Sequence, residues 1–480
     1  MSRLISAAGC FARRVLFLLC FGCVMSGAIA IGVLGAEIGR HTDAVLDRGA
    51  ELFAREWLPG DPRSHGGDGL GPVYNETSCI ACHHQGGVGG AGPVSTNVDI
   101  LTAGTAATPV DLHPGFRISR SVLLHRFAVD PEYQAWRLRL LDKGSLIAML
   151  GAVDTEIQLV QGMVATRSVI SVIEEKGLGS GLALVQRNPP ALFGAGSIDS
   201  ISDEVLLNQE KQRFPEHPEV HGRANRLKDG RVGKFGWKAG IPTLRGFVLA
   251  ACANELGLEV PGHHQAASPL DRVPTARGLD LTSEECEALV AYVRHLPPPT
   301  ASKPAGFEEF PAIAGGRLLF QSIGCATCHR PRIGSVEGIY SDLLVHDMGP
   351  ALASFADYYS DEDEITSPDS SLKPITGMEW RTPPLWGFRD SGPYLHDGRA
   401  ESLEQAVAFH GGEGTASAKR FFQLKLEDRL RVRMFLRSLA PPPAAAPLQA
   451  TGAEIGGAER GGRNGDIPQG AERGHSSFPR

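Results

Sequence analysis

The chain has 480 residues, enough for two or three domains that each bury their own core. Its composition is that of an ordinary globular protein, except that 58 glycines and 33 prolines indicate long irregular loops. A formal net charge of −7 without a basic run speaks against nucleic-acid binding, and an acidic surface would suit a basic protein partner.

Residues 1–36 are typical of an export signal. Arg13 and Arg14 precede an apolar run that begins at Val15, and residues 28–30 have the small side chains of a cleavage site. The sequence therefore predicts an exported, periplasmic protein. The alternative is that the apolar stretch is retained as an N-terminal membrane anchor.

Two pentapeptides of the pattern Cys-x-x-Cys-His carry the clearest chemistry, one from Cys79 to His83 and one from Cys325 to His329. This spacing lets two thiols add to the vinyl groups of one haem while the adjacent imidazole reaches the iron. A zinc site would need a second Cys or His pair nearby, which is missing. A thioredoxin-like redox pair is the alternative, but a histidine would have to follow it by chance twice. The sequence predicts two covalent haems, attached through Cys79, Cys82, Cys325 and Cys328, with His83 and His329 as iron ligands.

Each haem motif lies between an opening and a closing helix. The predicted helices cover residues 49–53, 286–296, 315–320 and 426–439. A capping box at residues 282–285 precedes the first closing helix, and runs of proline follow both closing helices. This arrangement is how cytochrome c domains begin and end.

The sequence therefore predicts a mainly α fold with two cytochrome c-like haem domains in tandem. The first occupies residues 41–296 and the second residues 312–440, with a Pro-rich linker at 297–311. The first domain is about twice as long, because a long loop-rich insertion fills roughly residues 100–240. Residues 441–480 are predicted to be a disordered tail, since few apolar side chains could anchor them.

A short repeated segment indicates that the two halves of the chain arose by duplication. Residues 187–194 read Arg-Asn-Pro-Pro-Ala-Leu-Phe-Gly and follow the first haem motif. Residues 381–387 read Arg-Thr-Pro-Pro-Leu-Trp-Gly and follow the second. The two halves thus carry the same short segment after their own haem motif.

Nine cysteines can be assigned by elimination. Three lie in the export segment and four belong to the haem motifs, which leaves Cys252 and Cys286. In an oxidising compartment a disulfide between these two is the prediction. The alternative is a pair of buried free thiols.

Four further segments, in order with the two haem motifs, resemble the di-haem oxidoreductase family. This family was once described as thiol oxidoreductases and is related to the bacterial di-haem cytochrome c peroxidases. The segments cover residues 68–75, 233–239, 340–349 and 381–400, and the resemblance extends over nearly all of 45–440. It implies an enzyme in which the second haem accepts electrons from a small donor protein or redox carrier. The second haem would pass them to a more open first haem, where peroxide or another small substrate is reduced.

The resemblance also implies a ligand for the second haem. The position that matches His410 supplies a methionine ligand in the related peroxidases, and a histidine stands there in this chain. His410 is therefore the predicted distal ligand, with Met348 and His346 as competitors. His396 lies in a family-typical tract, where a hydrogen-bonding or structural role is expected.

Two further features follow from the same resemblance. Trp237 could relay charge between the haems, and the alternative is a tryptophan packed in the core; Trp380 and Trp386 face the same choice. A calcium ion is implied between the domains, bound by the main-chain carbonyls of Ser391 and Pro393.

The distal side of the first haem is less well defined. Peroxide cleavage needs a group that moves one proton between the two oxygens, and a carboxylate or imidazole can do so. The candidates are Glu216, His113, His125, His217 and His221, together with Trp237 as a further catalytic candidate.

Two other functions stay open. One is a pure electron-transfer protein in which both haems are ligated on both faces. The other is an oxidase that withdraws electrons from a thiol, metal or protein substrate. The long elaboration of the first half favours an enzyme, because an electron carrier rarely needs extra residues around one haem.

Overall fold

The computed structural model describes residues 43–103, 113–117, 119–142, 171–174, 181–270, 278–299, 309–354 and 373–442. The predicted export segment and nearly all of the predicted tail lie outside the described residues. Within the described ranges, no helix is long and apolar enough to cross a membrane.

Helices dominate both halves of the described chain. They are α1 (residues 43–54), α2 (Cys79–Cys82), α3 (Glu132–Asp142), α4 (Ala195–Asp199), α5 (Asp203–Glu210), α6 (Leu244–Glu255), α7 (Ser283–His295), α8 (Glu309–Ser322), α9 (Leu403–Ala408), α10 (Thr415–Gln423) and α11 (Leu426–Arg437).

The strands are short and all their pairings are antiparallel. They are β1 (Val73–Tyr74), β2 (Val98–Ala103), β3 (Ser121–Leu123), β4 (Phe127–Ala128), β5 (Ser171–Glu174), β6 (Gly181–Arg187), β7 (Arg332–Ile333), β8 (Val336–Glu337), β9 (Val345–Asp347) and β10 (Glu379–Arg381).

Both pairs of predicted opening and closing helices are present and cross at a glycine. A Cβ on Gly49 of α1 would collide with the carbonyl oxygen of Ala288 in α7. A Cβ on Gly316 of α8 would collide in the same way with the carbonyl oxygen of Arg431 in α11. Glycine thus lets the two backbones of each pair approach closely.

The ends of these helices agree with the sequence patterns. The capping box of α7 is formed, because the Glu285 backbone N–H donates to the Thr282 hydroxyl and the Glu285 carboxylate accepts from the Thr282 N–H, at 3.2 and 2.9 Å. Helix α8 begins at Glu309, inside the stretch 297–311 that was predicted as a linker. This helix therefore begins six residues earlier than residue 315, the start that the sequence predicts.

Each half of the chain builds its own apolar core. The first core packs around α1, α6 and α7 and also takes Leu343, Leu344 and Trp386 from the second half. The second core packs mainly around α8, α10 and α11, with Phe320, Phe421 and Phe435 among its side chains. The domain boundaries themselves stay a prediction.

The insertion predicted as loop-rich contains a four-stranded antiparallel sheet. Its strand order is β3-β2-β6-β5, with Ile100 opposite Val185 in the central pair. Alternate residues of β2, Leu101 and Ala103, are buried in a small cluster that includes Leu140 of α3. The prediction of a loop-rich insertion did not include this sheet, because β2 and β6 are far apart in sequence and no local pattern identifies them as partners.

The predicted disulfide is not formed. Cys252 on α6 and Cys286 on α7 are both free and buried in the first core. Burial raises the pKa of the Cys286 thiol to about 11 and that of Cys252 well above its usual value. The two residues act as small apolar packing groups, the alternative that the sequence left open.

Candidate functional site

Two cavities open beside the two Cys-x-x-Cys-His motifs. The first, of about 100 Å³, is lined by Cys79, Cys82 and His83 and by apolar side chains of α1, α6 and α7. The second, of about 280 Å³, is lined by Cys325, Cys328 and His329 and by side chains of α8, α10 and α11. Each cavity thus brings a thiol pair and an imidazole to one mainly apolar space.

Both motifs fold into the same tight turn. In the first, the His83 N–H donates to the Cys79 carbonyl at 3.0 Å at the end of α2. In the second, the His329 N–H donates to the Cys325 carbonyl at the same 3.0 Å. Residues three apart in such a turn share a face, so both thiols of each motif point the same way.

The two motif histidines have one ring nitrogen occupied and one left over. The Nδ1 of His83 lies 3.2 Å from the Gly90 carbonyl, and the Nδ1 of His329 lies 3.0 Å from the Tyr340 carbonyl. A carbonyl can only accept, so Nδ1 carries the proton and Nε2 is free to bind a metal. Burial lowers the pKa of both imidazoles to about 4, which keeps them in the neutral form that ligates iron.

His410 faces His329 across the second cavity. Their ring centroids are 6.4 Å apart. Two imidazoles on opposite faces of one metal ion would have centroids about 6 Å apart, because each bond is about 2 Å and a ring nitrogen lies about 1 Å from its centroid. The Nδ1 of His410 lies 2.7 Å from the Ala406 carbonyl, which again leaves Nε2 free. The separation therefore matches a bis-histidine iron site.

The competing ligand His346 is already engaged on both ring nitrogens. Its Nε2 lies 3.0 Å from Asp342 and its Nδ1 lies 2.7 Å from Glu413, and its Nδ1 also approaches the Cys328 sulfur at 3.6 Å. Burial works against a charged imidazole, but the carboxylate of Asp342, through its charge and its hydrogen bond, raises the pKa of His346 well above its usual value. His346 is thus an ion-pair partner with no free nitrogen for iron.

Met348, the other competitor, also lines the second cavity. It packs in a small apolar cluster with Trp380 and Phe409. Its methyl carbon lies beside Gly414, close to the same side of the cavity as His410. Met348 and His410 therefore lie on the same side of the second cavity.

His396 packs in an aromatic and cationic cluster on the wall of the second cavity. Its ring stacks on Trp380 with centroids 3.7 Å apart, and the Lys238 ammonium lies 3.6 Å from the same indole centroid. Burial, followed by the nearby cations Arg187 and Arg399, lowers the pKa of His396 well below its usual value. The contacts fit a structural role for this residue.

One wall separates the two cavities. The residues that line both are Asn188, Pro190, Leu192, Gly236, Trp237 and Phe247. Trp237 donates through its indole N–H to the Asn188 carbonyl at 2.9 Å, which fixes the ring in this wall. An electron passing between the cavities would therefore cross a single layer of side chains.

The acid–base candidates named from sequence lie away from the first cavity. His217 contacts Arg420 of α10 at 3.0 Å, and the His221 N–H donates to Glu413 at 2.8 Å, so this segment, which includes Glu216, runs beside the second half of the chain. His113 and His125 are buried in the insertion, and burial lowers the pKa of His125 to about 4. None of the five lines the first cavity.

Two carboxylates that the sequence analysis missed do line the first cavity. Glu76 accepts a hydrogen bond from Arg126 and Glu255 accepts one from Asn75, each at 2.7 Å. Glu76 stands three residues before Cys79, a spacing that could have drawn attention to it. Glu255 ends α6 and could be found only from the fold.

Ser391 and Pro393, the predicted calcium-binding positions, line the second cavity beside the cis peptide bond at residues 392–393. The implied ion would use main-chain carbonyls, and hard cations accept such ligands. The calcium site stays a prediction.

The chain matches the model of a protein family described as "Di-haem oxidoreductase, putative peroxidase" over residues 171–439. Among curated proteins, it is similar to the methylamine utilization protein MauG of Methylorubrum extorquens, with 28% identity over 141 residues. This alignment covers 28% of the chain and 36% of MauG, so the chain spans about a third of the relative it matches.

Three solved structures are also similar. Kuenenia stuttgartiensis hydrazine synthase pressurised with xenon shares 21% identity over 50% of this chain and 88% of that chain, with a TM-score of 0.25. A MauG-like protein associated with microbial copper homeostasis shares 17% over 50% and 90%, with a TM-score of 0.26. The diheme peroxidase BthA from Burkholderia thailandensis shares 14% over 60% and 97%, with a TM-score of 0.28.

Proposed function

The chain belongs to the di-haem oxidoreductase family, and we propose that it is an exported, peroxidase-like member with covalently attached haems. Cys79 and Cys82 would hold the first haem, and Cys325 and Cys328 the second. Electrons from a small donor protein or redox carrier would enter at the second haem and pass to the first. Peroxide or another small oxidised substrate would be reduced there.

The difference between the two cavities carries this proposal. His329 and His410 oppose each other across the second cavity, with ring centroids 6.4 Å apart. Among the described residues that line the first cavity, His83 is the sole histidine and there is no methionine. A haem ligated on both faces passes electrons, whereas a haem with an open face can react with peroxide. The asymmetry supports an entry site at the second cavity and a reaction site at the first.

The first cavity also offers groups that can handle protons. Glu76 and Glu255 line it, and reduction of peroxide needs a group that takes a proton from one oxygen and gives it to the other. Both side chains are anchored by hydrogen bonds, so they are held rather than free to swing into solvent. We assign the acid–base role to one of these two carboxylates.

Trp237 stands where charge would cross between the haems. It lines both cavities, and its hydrogen bond to the Asn188 carbonyl holds the indole in place. An aromatic ring in the shared wall would shorten each electron-transfer step. This supports the relay role over a purely structural one.

The proposed location is the periplasm. Residues 1–36 combine arginines with an apolar run, which supports export, and the uncleaved form of the same segment would be a membrane anchor. Mass spectrometry of the mature protein would find the new N-terminus near residues 28–35 if the segment is removed. An intact N-terminus in the membrane fraction would indicate the anchor instead.

Spin-state spectroscopy of the ferric holoprotein tests the function. One high-spin and one low-spin haem are expected by electron paramagnetic resonance, together with oxidation of a reduced donor dye when peroxide is added. Two low-spin haems and no peroxide turnover would favour the pure electron carrier. A high-spin haem that turns over a thiol or metal substrate but not peroxide would favour the oxidase.

A further inference from the structure

Arg381 is a buried cation with an unused donor. Its side chain is 7% exposed, and its Nη1 has no hydrogen-bond partner among the described residues. Burial lowers the pKa of its guanidinium to about 10, and no carboxylate offsets this. A buried charge is costly unless an anion faces it, so this position calls for a negatively charged group.

The nearby protein carboxylate is already occupied. Glu379 lies two residues before Arg381 on β10, and it pairs with Arg223 at 2.6 Å. Arg381 itself donates through Nε to the Gly236 carbonyl at 2.8 Å, and its backbone N–H donates to Trp237 at 3.0 Å. The Nε of Arg381 therefore bonds to Gly236 in the wall between the cavities, while Nη1 is left for a ligand.

The side chain lies where that ligand would be. Arg381 lines the second cavity together with Cys325, Cys328 and His329. The cavity is otherwise mainly apolar, so a bound anion would belong to the group that fills the cavity. A haem is an apolar macrocycle that carries two propionate carboxylates, and a guanidinium pairs with a carboxylate through parallel N–H donors.

The matching segment of the first half brings a second buried arginine, Arg187, to the first cavity. Its Nη1 donates to the Gln186 carbonyl at 2.9 Å and its Nη2 to the Ser354 hydroxyl at 2.8 Å. Arg187 begins the segment that repeats at Arg381, and it ends β6 as Arg381 ends β10. Arg187 is 2% exposed and lines the first cavity. Each haem motif is thus followed by an Arg-x-Pro-Pro segment whose arginine reaches its own cavity.

We propose that Arg381 binds a propionate carboxylate of the second haem through Nη1, with Arg187 as its counterpart at the first haem. The proposal rests on the haem content of the proposed function and not on its reaction with peroxide. In this proposal Arg187 and Arg381 each orient one haem and offset the negative charge of its propionates.

The test uses the holoprotein with the substitutions R381Q and R381K, and R187Q as the matched control. Redox titration followed by absorption should show that R381Q lowers the reduction potential of the second haem, since a nearby positive charge favours the reduced form. We expect the reduced-to-oxidised ratio to fall about tenfold at fixed potential, which equals 59 mV for one electron. R187Q should lower the potential of the first haem more than that of the second, because Arg187 lines the first cavity but also lies 4.9 Å from the Trp380 ring on the wall of the second.

Resonance Raman spectra separate direct contact from a distant charge effect. In R381Q the propionate-bending bands of the second haem should shift, and in R381K they should shift less. Wild-type bands in R381Q, or equal potential shifts of both haems in R381Q and R187Q, would overturn the proposal. If R381Q fails to retain the second haem, R381K decides: altered bands support the contact, and wild-type bands with a wild-type potential overturn it. Peroxide turnover plays no part, so a failed peroxidase assignment leaves this test intact.

Discussion

At the scale of single residues, hydrogen bonding separates the histidines that can bind iron from those that cannot. His83, His329 and His410 each direct Nδ1 at a main-chain carbonyl and keep Nε2 free. His346 uses both nitrogens on carboxylates. The two motif histidines could be named from sequence alone, and His410 from the family resemblance. The hydrogen bond between His346 and Glu413 could not be predicted from sequence, because Glu413 lies 67 positions away in the chain.

Replacing His410 by Ala should turn the second haem from low-spin to high-spin. The substitution removes the imidazole that faces His329 with a centroid separation of 6.4 Å. The ferric absorption and paramagnetic resonance spectra give the readout. M348L is the matched control, because Met348 lines the same cavity and should leave the second haem low-spin. A high-spin haem in M348L and an unchanged spectrum in H410A would assign the ligand to Met348.

Substitution of each carboxylate at the first cavity should show whether Glu76 or Glu255 is the acid–base group. E255Q or E76Q, whichever residue is the acid–base group, should lower peroxide turnover by about 10²–10⁴-fold, the range typical of lost general acid–base catalysis. Steady-state turnover with a reduced donor dye gives the measurement. E216Q is the control, since Glu216 does not line the cavity and should retain full activity. Full activity in both E76Q and E255Q would remove this assignment.

At the scale of elements, each opening helix crosses its closing helix at a glycine. G316A should destabilise the second half by about 1–3 kcal/mol, because the new methyl group would collide with the Arg431 carbonyl and push α8 off α11. The matched control lies one residue earlier on the same helix. A Cβ on Gly315 would meet its nearest atom at 3.8 Å, so G315A should be neutral or stabilise by up to about 1 kcal/mol. Urea unfolding curves measure both, and equal effects would argue against the crossing as the cause.

Arg223 forms a buried ion pair with Glu379 of β10 at 2.6 Å. Burial alone would raise the pKa of Glu379, but the hydrogen bond from Arg223 and that from the Thr376 N–H lower it to about 2. Because the folded pKa is depressed, the pair stabilises the protein above about pH 4.5, and this contribution is lost as the pH falls towards 2. The shift corresponds to about 3 kcal/mol.

E379Q should therefore lower the free energy of unfolding at pH 7 and flatten its dependence on pH between about 4.5 and 2. Urea unfolding at pH 7 and pH 3 gives the comparison. The control is E427Q, since Glu427 pairs with Arg431 on the surface of α11 with 73% of its side chain exposed. An exposed pair of this kind contributes less than about 1 kcal/mol, so E427Q should behave like the wild type. Parallel pH profiles for E379Q and the wild type would contradict the role of this pair.

At the scale of the whole molecule, the features that could be predicted from sequence are those that depend on residues close together in the chain. The haem motifs, the capping box at Thr282 and the four flanking helices all depend on neighbouring residues. All four helices are present, although α8 begins earlier than predicted. The sheet of the insertion depends on the pairing of β2 with β6, which lies about 80 positions later. No local sequence pattern predicts this pairing. The contribution of Trp386 to the first core is equally distant, so the packing of the two halves had to come from the structure.

The common wall of the two cavities is the feature that no local pattern could predict, and it leads to the prediction for Trp237. W237F should slow oxidation of the second haem after peroxide is added, because Trp237 lines both cavities and the phenyl ring loses the hydrogen bond to Asn188. Stopped-flow absorption at the bands of the reduced second haem measures this rate. W386F is the matched control, since Trp386 is buried and lines the second cavity but not the first. Equal rates in W237F and W386F would assign Trp237 to packing alone, whereas a selective loss in W237F would make the shared wall the route by which one haem supplies the other.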